Sequence, residues 1–89
     1  MDNERQVVKE YQITANEWNK IDLSTVKYKA ERFLIESIIL MLIEEQLQNM
    51  GIYEYVVKYD SIYLFQNIEI DVNKLFINAI NKYNKEVKQ

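Results

Sequence analysis

The chain has 89 residues, 48% apolar and 28% charged, with no cysteine, no histidine, no proline and a single glycine. The length implies one small domain, near the lower limit at which a hydrophobic core holds a fold together unaided. The missing residue types exclude a disulfide framework, thiol nucleophiles, a histidine base or metal ligand and a glycine-rich phosphate loop.

Net charge is −3, and the deficit falls in the first half. Residues 1–50 carry nine acids and six bases, residues 51–89 five of each. Nucleic-acid affinity comes from lysine and arginine neutralising phosphates, so this balance argues against nucleic acid as a partner. The N-terminus, MDNERQVVKE, is charged from the outset and does not read as a signal peptide. The most apolar run, Phe33 to Ile43, has eleven residues with Glu36 among them, well short of the roughly 20 needed to span a bilayer. These features predict a cytoplasmic protein without membrane contact.

In chain order, residues 1–5 read as a frayed polar end and residues 6–89 as the domain. Val7 to Ile13 alternates, with Val7, Tyr11 and Ile13 on one side, which predicts a short strand. Thr14-Ala15-Asn16-Glu17 has the spacing of a capping box, flanked by Ile13 and Trp18 at the positions of a hydrophobic staple, so a helix starts at Ala15. Asp22-Leu23-Ser24-Thr25 offers a second set of caps, with Leu23 and Tyr28 as its staple. A long helix then runs from Thr25 to Met50, its predicted core stripe being Val26, Ala30, Phe33, Leu34, Ile38, Met41 and Leu42. Gly51 stops it in a left-handed cap that brings Leu47 against Ile52.

Beyond Gly51 the period becomes two. Residues 52–59 predict a strand with Tyr53, Tyr55, Val57 and Tyr59 on one face, Asp60-Ser61 a turn, and residues 62–70 the return strand. Asp71 caps a last helix whose Val72, Leu75, Phe76, Ala79, Ile80 and Tyr83 form one stripe, with Lys82, Lys85 and Lys88 towards the negative end of its dipole. The order β-α-α-β-β-α defines a small α+β domain, a long central helix packed on a small antiparallel sheet.

Three features bear on function. The long helix is apolar around most of its circumference, because Ile35, Ile39, Leu40 and Ile43 lie outside the stripe just given. Together with Phe33, Leu34, Ile38, Met41 and Leu42 they predict a self-association helix and a homodimer. Tyr53, Tyr55, Tyr59 and Tyr63 form a candidate partner surface, since tyrosine supplies contact area with a polar tip; the competing reading is ordinary sheet packing. Catalytic material is thin. No hydroxyl has an activating base at a suitable spacing, and Glu69 and Asp71, the one candidate for Mg²⁺, are more simply explained by Asp71 as a helix cap. No enzyme activity, cofactor or metal is expected.

Residues 6–45 also resemble the ribbon-helix-helix repressors: a short strand, a helix opening at Thr14, then Ala30-Glu31-Arg32-Phe33-Leu34-Ile35-Glu36-Ser37-Ile38 in the manner of that family's second helix. The resemblance implies a dimeric DNA-binding regulator reading the major groove with Arg5, Lys9 and Tyr11. Against it, the Gly-x-Ser/Thr turn between the helices is missing, the strand carries Glu10, and this half is acidic. The leading expectation is a non-enzymatic interaction or regulatory factor of the kind carried by viruses and mobile elements, inhibiting or bridging a host protein. Its acidic first half suits a partner with a basic surface.

Overall fold

The computed structural model describes residues 6–20 and 29–86. Over these it contains β1 (Lys9–Gln12), α1 (Ala15–Trp18), α2 (Lys29–Asn49), β2 (Tyr55–Val57), β3 (Ser61–Leu64) and α3 (Val72–Glu86). This is the α+β order read from the sequence. The sheet is antiparallel with β3 in the centre, in the order β1-β3-β2. The second capping cluster at 22–25, the Leu23–Tyr28 staple, Val26, Arg5 and Lys88 lie outside the described residues.

Short-range chemistry fixes the element ends. Thr14 and Glu17 close a capping box: the Thr14 amide donates to Glu17 Oε1 at 3.0 Å and its hydroxyl to the same oxygen at 2.6 Å. These bonds hold the Glu17 carboxyl below its ordinary range. Ile13 and Trp18, the staple pair, are both buried. At the end of α2, Gly51 has φ +82°. Its amide bonds Gln48 O at 2.9 Å while the Ile52 amide bonds Leu47 O at 2.9 Å, the paired bonds of a Schellman cap. Leu47 and Ile52 are thereby driven into the core. A Cβ at Gly51 meets nothing within 4 Å, so Gly51→Ala suffers only from the left-handed backbone. The expected loss is about 1–2 kcal/mol, read as a lower urea midpoint with an unchanged slope.

Asp71 caps α3 as expected, Oδ1 accepting from the Lys74 amide at 3.1 Å. The predicted α3 stripe faces inward in full: Leu75, Phe76 and Ala79 are buried, with Val72, Ile80 and Tyr83 packed against the same cluster. On β3, Ile62 and Leu64 are fully buried. Their register sets Tyr11 and Val57 beside Ile62, and Lys9 and Tyr55 beside Leu64.

The strands are shorter than the alternation suggested. Residues 52–54 are not strand, because Ile52 belongs to the helix cap. The hairpin loop is Tyr59-Asp60 rather than Asp60-Ser61, since Lys58 and Ser61 close it by exchanging backbone bonds of 2.8 and 3.4 Å. The return strand ends at Leu64, not residue 70. Ile68 and Ile70 keep an inward alternation, but the hydroxyl of Tyr11 replaces a neighbouring strand there, donating to Ile68 O at 3.4 Å and accepting from the Ile70 amide at 3.3 Å. At the other end of the sheet's first strand, Val7 is exposed rather than in line with Tyr11 and Ile13.

The largest correction concerns α2. Its buried line is Glu36, Ile39, Ile43 and Leu47, whereas Phe33, Leu34 and Met41, placed in the core by the predicted stripe, are exposed. The helix is apolar on nearly all sides and therefore carries little phase information of its own. Its rotation is set from outside, by Leu47 locked in the Schellman cap and by residues four apart falling on one face. α3 packs along α2, and the side chains of both join those of the sheet in one core cluster.

Candidate protein-interaction site

The nine residues expected to form a self-association helix are divided by this rotation. Ile39 and Ile43 are fully buried within the chain's own fold and leave the candidate surface. Ile35, Leu40 and Leu42 are partly buried against the core. What faces outward is Phe33 (69% exposed), Leu34 (61%) and Met41 (61%), with the half-buried Ile38 beside them. Leu34, Ile38, Met41, Glu45 and Gln48 follow each other at spacings of four and three. That is the repeat that keeps side chains on one line along a helix. The line is apolar over its first three positions and polar over its last two. It runs opposite the buried line of Ile39, Ile43 and Leu47.

The four tyrosines are not brought together. Tyr55 reaches back to α2, its hydroxyl accepting from Gln48 Nε2 at 2.8 Å and donating to Glu44 Oε1 at 3.2 Å. Tyr59, in the hairpin loop, stacks on Trp18 with ring centroids 4.7 Å apart and donates to Glu36 Oε2 at 3.4 Å. Burial and the Glu36 carboxylate together push its phenol above the ordinary value. Tyr63 lies on the outer face of the sheet, opposite Glu10 and Val56, with the Lys58 ammonium 5.9 Å from its ring centroid. Tyr53 is the most exposed of the four, at 71%, and Tyr59 remains 48% exposed despite its contacts. A shared tyrosine platform is therefore absent. It required a strand over 52–59, and the cap and the turn consume both ends of that segment.

Of the residues implied as DNA readers, Arg5 lies outside the described residues. Lys9 donates to Glu69 Oε2 at 2.5 Å, the Tyr11 hydroxyl is held by the 68–70 segment, and β1 is paired with β3 of its own chain. The Lys9–Glu69 bond holds the carboxyl below 4.5 and the ammonium above 10.5. The carboxyl with a depressed folded-state pKa contributes stability above its unfolded value and loses it as pH falls. The ammonium with a raised value contributes below its unfolded value and loses it as pH rises. Lys9→Met is thus expected to lower the melting temperature slightly between about pH 5 and 10. Its difference from the parent should shrink outside that window and at high salt, because Glu69 is largely solvent-exposed. A difference that stays constant from pH 3 to 11 would show that the lysine acts through its methylenes alone.

Two further features escaped the sequence reading. Glu36, which seemed a break in the apolar run, is 5% exposed. It is held by Arg32 Nε at 3.0 Å and by Tyr59. A cleft of about 510 Å³ lies between the end of α2 and the start of α3, lined by Gln46, Asn49, Met50, Asp71, Lys74 and Asn78 among others. Gln46 bridges its walls, donating to Leu75 O at 2.7 Å and accepting from Asn78 Nδ2 at 3.1 Å. The Arg32–Glu36 pair stands at the i,i+4 spacing that a sequence can show, but the Tyr59 contact and the bridges of the cleft join residues 23 to 32 apart. Among the described residues no group of three or more acidic side chains is placed to hold a metal ion, and no helix is long and apolar enough to cross a membrane. Asp71 serves as a helix cap and Glu69 as the partner of Lys9.

Compared with protein-family models, with curated proteins and with solved structures, the chain matches none.

Proposed function

We propose that the chain is a small non-enzymatic interaction factor that self-associates through the outward line of α2 and acts by occluding or bridging a partner protein. The observation that carries this reading is the exposure of Leu34 and Met41 on the face of α2 turned away from the core, with Phe33, also exposed, to one side beside Arg32, Glu36 and Tyr59. Large apolar side chains grouped on one face of a surface helix mark an interaction site more often than scattered ones do. Three of the side chains able to do acid-base or nucleophilic work are already engaged or buried, which supports a non-catalytic role. The Thr14 hydroxyl is taken by Glu17, Ser61 is buried in the hairpin, and the Glu36 carboxylate is engaged by Arg32 and Tyr59.

The partner we propose carries a basic surface, for the net charge of −3 steers encounter with such a surface. Accessory factors of viruses and mobile elements, which inhibit or redirect a host protein, are the class this description suits. Light scattering across micromolar concentrations tests self-association. A mass near two chains at the upper end is expected, and the mass of one chain throughout would end the proposal.

A further inference from the structure

We infer that the cleft between the first turns of α2 and the hairpin loop binds an arginine side chain presented by the partner protein. The inference names the basic group of the partner proposed above and rests on that reading, though not on self-association. The cleft, of about 420 Å³, is lined by Arg32, Phe33, Glu36 and Tyr59. Its one deep group is the Glu36 carboxylate, 5% exposed. Oε2 is served twice, by Arg32 Nε at 3.0 Å and by the Tyr59 hydroxyl at 3.4 Å. Oε1 takes no hydrogen bond from any described residue, and it is not sealed from the cleft. An ionised carboxylate has room for about four donors, so half of this one remains open to a ligand.

The surroundings of that oxygen select a guanidinium. Both walls are aromatic and open, Phe33 being 69% and Tyr59 48% exposed. Trp18 covers one face of the Tyr59 ring and leaves the other for a ligand. Aromatic faces attract cations, arginine more often than lysine. A planar guanidinium stacks on a ring while its edge donates hydrogen bonds. Oε1 accepts from that edge in a setting largely removed from water, where a charge-assisted bond is strong. The net charge of −3 favours the approach of a cation. Arg32 opposes the incoming charge, but its side chain is 50% exposed, so solvent weakens the repulsion, and it occupies Oε2 alone. An anion fits worse. To reach the outer nitrogens of Arg32 it must approach Glu36, and it leaves Oε1 without a donor.

The probe is N-acetylarginine amide, titrated into the isotope-labelled full chain and followed by NMR at a concentration where the chain scatters as a monomer. N-acetylcitrulline amide, planar and of matching length but uncharged, and N-acetylaspartate amide are the comparisons. The expected result is a saturable movement of the Arg32 Nε–H signal and of the backbone amides near Glu36 and Tyr59, half complete at about 1–10 mM. The citrulline probe should bind about tenfold more weakly, and the aspartate probe should give no saturable shift. Phe33→Leu, at an exposed position, should weaken the arginine probe about two- to fivefold. Glu36→Gln, if its melting transition shows it folded, should weaken it about tenfold or more; the citrulline and Phe33→Leu arms decide the matter without it. Citrulline binding as tightly as arginine, aspartate binding in place of arginine, no saturable shift with arginine, or an arginine affinity untouched by Phe33→Leu would each overturn the inference. Any of these leaves self-association standing. A chain that scatters as one mass at every concentration ends self-association, and arginine binding in the cleft is then still read independently.

Discussion

Replacing Phe76 with alanine is expected to cost about 3–5 kcal/mol of folding stability, a large share of the roughly 5–15 kcal/mol that holds a domain folded. Phe76 is fully buried, and its ring meets Trp18 edge-on, centroids 5.0 Å apart at 89°. Trp18 in turn stacks on Tyr59 of the hairpin loop. The ring of Phe76 therefore supports α1 and the hairpin as well as α3, and removing it leaves a cavity beneath all three. The indole N–H of Trp18 is buried without a partner, so the docking of α1 rests on ring packing rather than on a hydrogen bond. Trp18 is the sole tryptophan and reports the change directly. The variant should show red-shifted emission and a urea midpoint well below the parent's. Phe33→Ala is the contrast. Phe33 is 69% exposed, and its loss should leave stability within about 0.5 kcal/mol. Comparable losses from the two variants would mean that the α2 rotation described above is wrong.

That rotation marks the boundary of what could be read from the sequence. α3 was legible because all of its apolar residues except the exposed Ile77 lie on one side and Asp71 stands at the cap position. Gly51 was legible because it is the only glycine and follows a long helical run. The capping box was legible because Thr14, Glu17, Ile13 and Trp18 satisfy two motifs at once. For α2 the local signal was flat. Phe33 to Ile43 offers apolar residues at almost every angle, and the choice among them was made by Leu47 and by the packing of α3. The expected stripe consequently took in three of the most exposed side chains of the helix and omitted Ile39 and Ile43. The tyrosine surface failed for a related reason. Alternation over 52–59 is real, but Ile52 answers to the cap and Tyr59 to the turn, which leaves three residues of strand. Ile68 and Ile70 looked like strand because they do alternate; a tyrosine hydroxyl from β1 stands in for the ladder. Of the candidate site, the segment was legible and the face was not.

Charge placed on each side of α2 separates these faces, and with them the intramolecular and intermolecular roles of the helix. Ile43→Lys puts an ammonium where the isoleucine is fully buried, among Ile39, Leu47 and the other members of the core cluster. Burying an unpaired charge costs several kcal/mol or forces the lysine to deprotonate. With a core this small, the variant should lack a cooperative thermal transition at neutral pH. Met41→Lys, two residues away and 61% exposed, leaves the ammonium in water and should keep the melting temperature close to that of a dilute parent sample. Its effect appears at higher concentration. In the proposed self-association this face meets the other copy, so the mass by light scattering should remain that of one chain where the parent's rises towards two. Glu45 lies one turn along the same line and is engaged by Lys82 at 2.5 Å, so it does not offset the new charge. A folded Met41→Lys that self-associates as the parent does would move the contact off this face of α2. An unfolded Met41→Lys would mean that the side chain is buried after all, and the division of α2 into a core side and a contact side would fall with it.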